Sequence, residues 1–352
     1  MAQPSVLVTF DSMKDTNRGY FSFGKGLGNA LIQENQNKFR LTYYLAEHTD
    51  SYYLFNGTVN ILPFSRWHRI FFPSNNKYDI VHLSDQFCRL RPNKVSAKRI
   101  MTVHDMNKVH LKYSKPRRIK AYLKKLGGFI SQCDKVVAIS KFVANDLLTY
   151  FPEAAHKISV IYNGADKLVV PDNHQPVYIP KKSFLFTIGL LSVQKGFHFL
   201  PCLLEDNNYE LVISGIETPH KSRIIEEAEK FGCRDRVIIT GPIAEADKAW
   251  YYKNCSAFLF PSIAEGFGLP VIEVMHFGKP VFLSKYTSLP EVGGDAAYYF
   301  DDFEPLHMQQ IFAKGMKDFN NHMRADEIIN QANKFSWEQA AQQYLKLYQA
   351  CL

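Results

Sequence analysis

Short apolar runs alternate with amphipathic stretches along this chain, and the alternation is its most regular feature. Largely apolar runs such as Ser5–Phe10, Asp79–Leu83 and Arg99–Val103 are separated by enough residues to form a helix. In residues 116–132, for instance, apolar side chains recur every three or four positions, which is typical of helices. Continuous apolar runs suit strands that are buried on both faces of a parallel sheet. The pattern therefore predicts an α/β protein.

The alternation occurs twice, with a break near the middle of the chain. Between the apolar runs Lys157–Tyr162 and Phe184–Ile188, residues 169–182 hold three prolines and show little periodicity, as in a linker. We therefore predict two doubly wound, Rossmann-like domains, residues 1–168 and 169–335, which face each other across a cleft.

The stretch Phe260–Pro280 carries the clearest chemical signal. Gly266 and Gly268 permit backbone conformations that a β-carbon would obstruct, and Pro270 suits the first turn of the helix that follows. The N–H groups and the positive dipole at the start of such a helix favour an anion such as a phosphate.

Two carboxylates frame this loop, Glu265 before it and Glu273 in the helix after it. Phosphates repel carboxylates, so we expect both to accept hydrogen bonds from the vicinal hydroxyls of a sugar. This arrangement suggests a nucleotide sugar, with one glutamate for each of its two sugars. A βαβ turn with two solvated glutamates is an equally good interpretation of the spacing alone, because glycine loops are common.

The same segment resembles the donor-binding signature of the retaining GT-B glycosyltransferases of family 4, in which two glutamates eight residues apart flank a GFG-type loop. Thr287–Asp301 also resembles that family, particularly members that build bacterial surface polysaccharides. The resemblance extends over nearly the whole chain. It implies a GT-B fold in which residues 1–168 bind the acceptor and residues 169–335 bind the nucleotide sugar. The last helix, residues 336–352, is then expected to cross back and pack on the first domain.

The resemblance also implies roles for residues of the second domain. Glu273 is expected to bind the ribose diol, and Glu265 the donor sugar, together with the backbone of Phe267 and Gly268. Lys195 is expected to bind the diphosphate with the N–H groups at Gly268-Leu269.

The sequence departs from the family near Lys195, where an arginine normally joins the lysine at the diphosphate. Leu190 occupies the position of that arginine. Either one cation and the helix tip suffice, or Arg18 substitutes from the first domain.

Three residues of the first domain are candidate site residues. Gly19 lies in a glycine-rich segment that resembles the family's loop over donor and acceptor. His104 follows a strand, where ligands gather in open α/β sheets, and it matches the histidine that contacts the transferred sugar in the family. We interpret His82, at the end of the preceding strand, as structural.

Charge is unevenly distributed along the chain. Residues 1–165 carry 24 Lys/Arg and 11 Asp/Glu, a net charge of +13, whereas residues 166–352 carry 18 and 23, a net charge of −5. A basic half implies an anionic partner: a nucleic acid, anionic lipid headgroups or a phosphorylated substrate. The helix predicted at 116–132 is basic and amphipathic, so its polar face is expected to contact the acceptor or a membrane. The residues proposed for this contact are Arg117, Arg118, Lys120 and Lys124.

Several classes of protein are disfavoured. No run of about 18 apolar residues is present, and the start of the sequence does not have the layout of a signal peptide. The six cysteines form no Cys-x-x-Cys pair, so neither a zinc site nor a disulfide framework is indicated. No Asp-x-Asp metal motif is evident, and we expect no metal and no cofactor.

A further stretch, Trp67–Phe72, is aromatic and basic; we favour a core helix there over an exposed interfacial edge.

We therefore predict a retaining hexosyltransferase that moves a hexose-type sugar from a nucleotide-sugar donor to a glycan or lipid-linked acceptor. The resemblance implies a role in surface polysaccharide or lipopolysaccharide biosynthesis, in the cytoplasm or peripherally on the inner face of its membrane. Two alternatives stay open: a GT-B nucleotide-sugar epimerase, and a non-enzymatic protein that binds anions or nucleic acid. Nucleic acid is the less favoured partner because no nucleic-acid motif is visible.

Overall fold

The computed structural model describes residues 3–13, 15–16, 19–46, 54–73, 75–111 and 114–352. The chain divides into two compact units. The first extends to Ala165 and includes Phe335–Leu352, and the second is Asp166–Lys334. The observed division lies close to the predicted one after residue 168, while the roles assigned to the two domains remain predictions.

The first unit is built on a seven-stranded parallel sheet, in the order β3-β2-β1-β4-β5-β6-β7. Every residue of the interior strand β1 is buried, as expected for a sheet covered on both faces. The strands are β1 (Ser5–Thr9), β2 (Arg40–Leu45), β3 (Asn60–Pro63), β4 (Ile80–Leu83), β5 (Lys98–Val103), β6 (Lys135–Ala138) and β7 (Ile158–Val160). The helices among them are α1 (Gly19–Glu34), α2 (Asn107–His110), α3 (Pro116–Ile130) and α4 (Lys141–Tyr150).

The second unit has a six-stranded parallel sheet, in the order β10-β9-β8-β11-β12-β13. Its strands are β8 (Phe184–Ile188), β9 (Glu210–Ser214), β10 (Val237–Gly241), β11 (Ala257–Phe260), β12 (Val281–Ser284) and β13 (Tyr298–Phe300). Its helices are α5 (Lys221–Lys230), α6 (Glu245–Asn254), α7 (Leu269–Met275), α8 (Leu289–Gly293), α9 (Pro305–His322) and α10 (Ala325–Ala332).

The last helix, α11 (Trp337–Cys351), belongs to the first unit, as the resemblance implied. Ser336 caps it, because its hydroxyl accepts a hydrogen bond from the backbone N–H of Gln339. The helix packs closely on α1: a β-carbon at Gly26 would lie 2.2 Å from the indole ring of Trp337. A glycine at this position therefore makes room for the returning helix.

The expectation that Trp67–Phe72 forms part of the core is wrong. Arg66–Arg69 is a single 3-10 turn, and its histidine, His68, points inward, where Nδ1 lies 2.9 Å from the hydroxyl of Tyr44. Phe72 is also buried. Because these two residues fill the inner positions, the other apolar side chains face solvent. They are Trp67 (75% exposed), Ile70 (67%) and Phe71 (70%).

No helix among the described residues is both long enough and apolar enough to cross a membrane.

Candidate active site

The candidate site lies at the carboxyl edge of the second sheet, in the segment from β11 to α7. The chain leaves β11 at Phe260 and enters α7 at Leu269. Gly268, just before the helix, adopts φ +118°, and a β-carbon there would lie 3.0 Å from Cδ2 of Leu289. The backbone conformation therefore favours glycine strongly, as the sequence predicted for this loop, and a side chain there would also crowd Leu289.

Two hydroxyl side chains after β12 hold the glycine loop in place. The backbone N–H of Glu265 donates to Oγ1 of Thr287 at 2.9 Å. The hydroxyl of Ser288 lies 3.0 Å from the carbonyl oxygens of both Glu265 and Phe267, so its one hydrogen is shared between them. The loop is thus fixed from outside, by residues within the Thr287–Asp301 segment that resembles the family.

Lys195 and Glu265, which were predicted to bind different parts of the donor, form an ion pair. Nζ of Lys195 lies 2.5 Å from Oε1 of Glu265, and 19% of the lysine side chain and 12% of the glutamate side chain are exposed. The neighbouring Gln194 ties the two loops together, because its side-chain amide donates to the carbonyl of Ala264 at 2.6 Å. The residue predicted to bind the diphosphate, Lys195, and the residue predicted to bind the sugar, Glu265, therefore lie side by side in the second unit.

Glu273 forms a second lysine–glutamate pair, more deeply buried than the first. Its Oε1 accepts a hydrogen bond from Nζ of Lys248 at 3.0 Å, and its Oε2 accepts one from the hydroxyl of Tyr252 at 3.0 Å. Burial raises the pKa of Tyr252 well above its ordinary value, so the phenol keeps the proton that it donates.

Lys248 and Tyr252 were missed by the sequence prediction. They stand four residues apart on α6 and therefore share one face of that helix. The signal that could have found them is a lysine beside buried aromatic residues, since a cation among apolar neighbours usually has a partner. The partner itself is 25 positions away in the sequence.

The arginine expected by the family has no counterpart at Leu190, whose side chain is partly exposed. Arg18, the suggested substitute, lies outside the described residues. The structure places another cation, Lys248, at the candidate site of this unit. Each glutamate of the signature thus has one lysine within hydrogen-bond distance.

His104, in the first unit, has one ring nitrogen committed to the protein. Nε2 lies 2.7 Å from the carbonyl oxygen of Ser84, which can only accept, so Nε2 carries the hydrogen. Burial lowers the pKa of His104, and the ring is therefore neutral with a lone pair on Nδ1. The rings of Tyr20 and Phe23 contact it edge-on, at centroid distances of 4.8 and 4.5 Å. This imidazole can accept one hydrogen bond.

His82 is structural, as predicted. It is fully buried, with Nε2 2.8 Å from Oγ1 of Thr102 and Nδ1 2.7 Å from the hydroxyl of Tyr348 on α11. Gly19 is the first residue of α1, and a β-carbon there would meet no atom within 4 Å. Its role at the donor therefore remains a prediction.

Helix α3 has the predicted division between an apolar face and a basic face. Tyr122, Leu126 and Ile130 are buried in the unit. The basic residues proposed for the acceptor or the membrane are all exposed: Arg117, Arg118, Lys120 and Lys124.

Solved structures share the fold described above. A crystal structure of Anabaena Alr3699/HepE in complex with UDP superposes with a TM-score of 0.75 at 15% identity, and the match covers 99% of this chain and 100% of that one. The match and the two parallel sheets assign the chain to the proteins with the GT-B fold, as predicted.

Two family models divide the chain between them. Residues 34–167 match the model described as Glycosyltransferase Family 4, and residues 170–333 match the model described as Glycosyl transferases group 1. Together they span most of both units. The chain belongs to the family 4 glycosyltransferases, which confirms the resemblance stated from the sequence.

Curated relatives include two proteins of Escherichia coli. The serotype-specific mannosyltransferase WbdA is 27% identical over 238 residues, and the match covers 62% of this chain but only 29% of WbdA. The O-antigen chain mannosyltransferase B is 23% identical over 265 residues, and that match covers 71% of this chain and 69% of the relative. The matched region thus spans less than a third of WbdA.

Proposed function

We propose that this chain transfers a hexose-type sugar from a nucleotide-sugar donor to a glycan or lipid-linked acceptor, with retention of the anomeric configuration. The observation that carries the proposal is the pair of lysine–glutamate contacts at the glycine loop, Lys195–Glu265 and Lys248–Glu273. Lysines are suited to bind a diphosphate and glutamates to bind sugar hydroxyls, so the two pairs together suit a ligand that contains both.

The donor contacts follow from these positions. Glu273 binds the ribose diol, and Lys248 lies beside it as a second cation. Lys195 binds the diphosphate with the N–H groups at Gly268-Leu269, and Glu265 binds the hexose together with the Phe267-Gly268 backbone. When the donor binds, Lys195 exchanges its bond to Glu265 for a phosphate oxygen, and Glu265 takes up a sugar hydroxyl instead. The UDP bound to the HepE neighbour supports a nucleoside diphosphate in this role.

The reaction exchanges one bond at the anomeric carbon for another. The bond from C1 to the diphosphate oxygen breaks, and the acceptor oxygen bonds to C1 on the face that the diphosphate leaves, which retains the configuration. The proton of the acceptor hydroxyl passes to a phosphate oxygen of the leaving group. Lys195 stabilises the negative charge that grows on the diphosphate, an electrostatic contribution that is commonly large. His104 accepts a hydrogen bond from a hydroxyl of the transferred sugar through Nδ1.

The acceptor and the location are proposed from the relatives and from charge. Both E. coli relatives bear names of mannosyltransferases, one of them of the O-antigen chain, which supports surface-polysaccharide or lipopolysaccharide synthesis with mannose among the hexoses to test. We expect the protein to work in the cytoplasm and to contact the inner face of the membrane through the basic surface of α3, which includes Arg117, Arg118, Lys120 and Lys124. We expect no metal and no cofactor, and full activity in EDTA would support this.

A transfer assay tests the proposal. The full chain is incubated with UDP-glucose, GDP-mannose and the corresponding dTDP- and ADP-sugars, with and without oligosaccharide acceptors, and free nucleotide is measured. We expect one donor to release nucleotide only when an acceptor is present, and nuclear magnetic resonance to show an α-linked product from an α-linked donor. A new sugar formed from the donor alone would indicate an epimerase, and a β-linked product would contradict retention.

A further inference from the structure

Three apolar side chains stand out from the surface of the first unit. The backbone N–H groups of Ile70 and Phe71 both donate to the carbonyl of Trp67 at 2.9 Å, so one turn of the chain presents all three side chains together. We call this set, Trp67, Ile70 and Phe71, the aromatic ridge. From their exposure the ridge displays roughly 400–500 Å² of apolar surface, about the size of the largest apolar patch on a typical monomer, which is often a functional one.

The ridge is held firmly from below. Ser65 caps the turn by accepting a hydrogen bond from the N–H of Trp67, and Tyr44 bonds to His68 on the inner side. The ring of Phe72 packs edge-on against His68 at a centroid distance of 5.4 Å. His68 and Phe72 therefore fill the inner positions of this stretch, and three large apolar side chains are left in water side by side, which indicates an apolar partner outside the chain.

Positive charge surrounds the ridge. Arg66 and Arg69 are exposed within the same turn. Between Asp50 and Asp79 the sequence contains no acidic residue. The partner of the ridge is thus expected to combine an apolar interior with anionic groups at its surface.

The ridge and the basic helix α3 adjoin the same short segment of chain. The guanidinium of Arg89 lies 4.5 Å from the ring centroid of Phe64, which immediately precedes the capping residue of the ridge. Two residues earlier, the ring of Phe87 contacts Tyr122 of α3 at 5.5 Å and lies 4.3 Å from the ammonium of Lys125. The basic surface of α3 therefore extends the charge around the ridge.

We propose that the aromatic ridge inserts into the interface of an anionic lipid bilayer, with Arg66 and Arg69 on the lipid phosphates. Tryptophan favours the headgroup level, where its ring is in an apolar environment and its N–H meets water, and apolar area and basic charge together set the strength of such binding. The inference deepens the proposed membrane contact and rests on the proposed function for the identity of that surface. It adds to the electrostatic contact of α3 an anchor that salt does not screen.

Vesicle sedimentation tests the anchor. The full chain is mixed with phosphatidylcholine vesicles with and without phosphatidylglycerol, at low and at high salt, in the absence of donor and acceptor. We expect binding to the anionic vesicles, and a loss of about tenfold or more in affinity for the variant Trp67→Ser/Ile70→Ser/Phe71→Ser, because most of the inserted apolar area is removed. The matched control, Leu306→Ser/Met323→Ser, removes exposed apolar residues of the second unit and should bind as the wild type does.

Tryptophan fluorescence gives a second readout. Of the three tryptophans, Trp337 is buried and Trp250 partly so, whereas Trp67 is exposed. A blue shift on adding anionic vesicles is therefore expected, and Trp67→Phe should remove the shift while preserving binding.

Three outcomes would overturn the anchor: equal binding by the triple serine variant, wild-type binding without a spectral change, or vesicle-free self-association that the triple variant abolishes. The last would assign the ridge to a second copy of the chain. Transferase activity on a soluble acceptor separates this inference from the proposed function. The triple serine variant should keep that activity even though it binds vesicles less tightly. Vesicle binding without transfer would contradict only the function.

Discussion

Two networks of polar side chains, one in each unit, are built from different interactions. Between the first sheet and α11, neutral groups bond to one another: His82 contacts Thr102 and Tyr348, and Thr102 also contacts Tyr344 at 2.8 Å. All four residues are fully buried. At the second sheet, two lysine–glutamate pairs remain partly exposed beside a glycine loop.

The difference separates a structural network from a binding site. The neutral network uses both ring nitrogens of His82 on groups of its own unit, and two of its members lie on α11, so its effect is to hold that helix in place. The groups in the ion pairs can each form further hydrogen bonds, because a carboxylate can accept about four and an ammonium can donate three. A ligand with phosphates and hydroxyls can therefore replace each contact with one of the same kind.

The largest effect is expected at the first ion pair. Glu265→Gln removes the charge that pairs with Lys195 and the strongest acceptor for a sugar hydroxyl, so kcat/KM should fall by about 10²–10³. Steady-state kinetics with the responding donor measures this loss. Glu226→Gln, an exposed glutamate of α5 that pairs with Arg223, is the control and should be unaffected. A Glu265→Gln enzyme with normal kcat/KM would contradict the assignment.

The second ion pair is expected to affect binding more than chemistry. Glu273→Gln weakens the hydrogen bonds to the ribose diol, and bonds to a charged group contribute about 1.5–3 kcal/mol, so affinity should fall by about 10–100-fold. Calorimetry should show this loss equally for the free nucleotide and the nucleotide sugar, because both contain ribose. Tyr252→Phe, which keeps the carboxylate, should lose less. A loss confined to the nucleotide sugar would assign Glu273 to the hexose instead.

The neutral network predicts a pH dependence of stability. Burial lowers the pKa of His82 to about 3, so this histidine stays unprotonated in the folded protein until the pH is close to 3. In the unfolded chain the same histidine takes up a proton below its ordinary pKa of about 6.5. Stability is therefore complete above about pH 6.5 and declines as the pH falls from there towards 3, by at most about 1.4 kcal/mol per pH unit.

Urea unfolding at pH 7 and pH 4.5, followed by circular dichroism, measures this decline. His82→Gln keeps a donor and an acceptor but does not titrate, so its stability should depend less on pH. His322→Gln, on the exposed side of α9, is the control. An unchanged pH dependence in His82→Gln would contradict the role given to burial.

The smallest effect is expected on the basic face of α3. A basic residue near an anionic membrane contributes about 1 kcal/mol, so Lys124→Gln should weaken vesicle binding at low salt by about fivefold. The effect should disappear at high salt, because exposed charges are screened. Lys253→Gln, an exposed lysine of α6 in the second unit, is the control. A loss that persists at high salt would contradict an electrostatic contact.

The sequence predicted the strands well because buried parallel strands are continuous apolar runs. The strand predicted at Ser5–Phe10 is observed as β1 (Ser5–Thr9), and the strand predicted at Asp79–Leu83 is observed as β4 (Ile80–Leu83). The sequence also predicted that Gly268 adopts a backbone conformation that disfavours a β-carbon, and its φ is +118°. These features depend on neighbours in the chain.

Features that depend on the tertiary fold could not be predicted in the same way. Lys248 meets Glu273 only because α6 and α7 pack together, and nothing near Lys248 in the sequence indicates that contact. Trp67 was expected in the core because apolar residues are usually buried, but His68, bonded to Tyr44, and Phe72 occupy the inner positions of that stretch.

The central claim is that the second unit binds a nucleoside diphosphate sugar through its two lysine–glutamate pairs. A thermal-shift panel of UDP, GDP, dTDP and ADP, alone and as sugar conjugates, tests it most directly. A ligand at about 100 times its dissociation constant adds roughly 2.7 kcal/mol to stability, which corresponds to several degrees in melting temperature. We predict that one nucleotide raises the melting temperature of the wild type by that amount, and that Glu273→Gln responds much less. No response to any nucleotide, or an equal response in the variant, would contradict the claim.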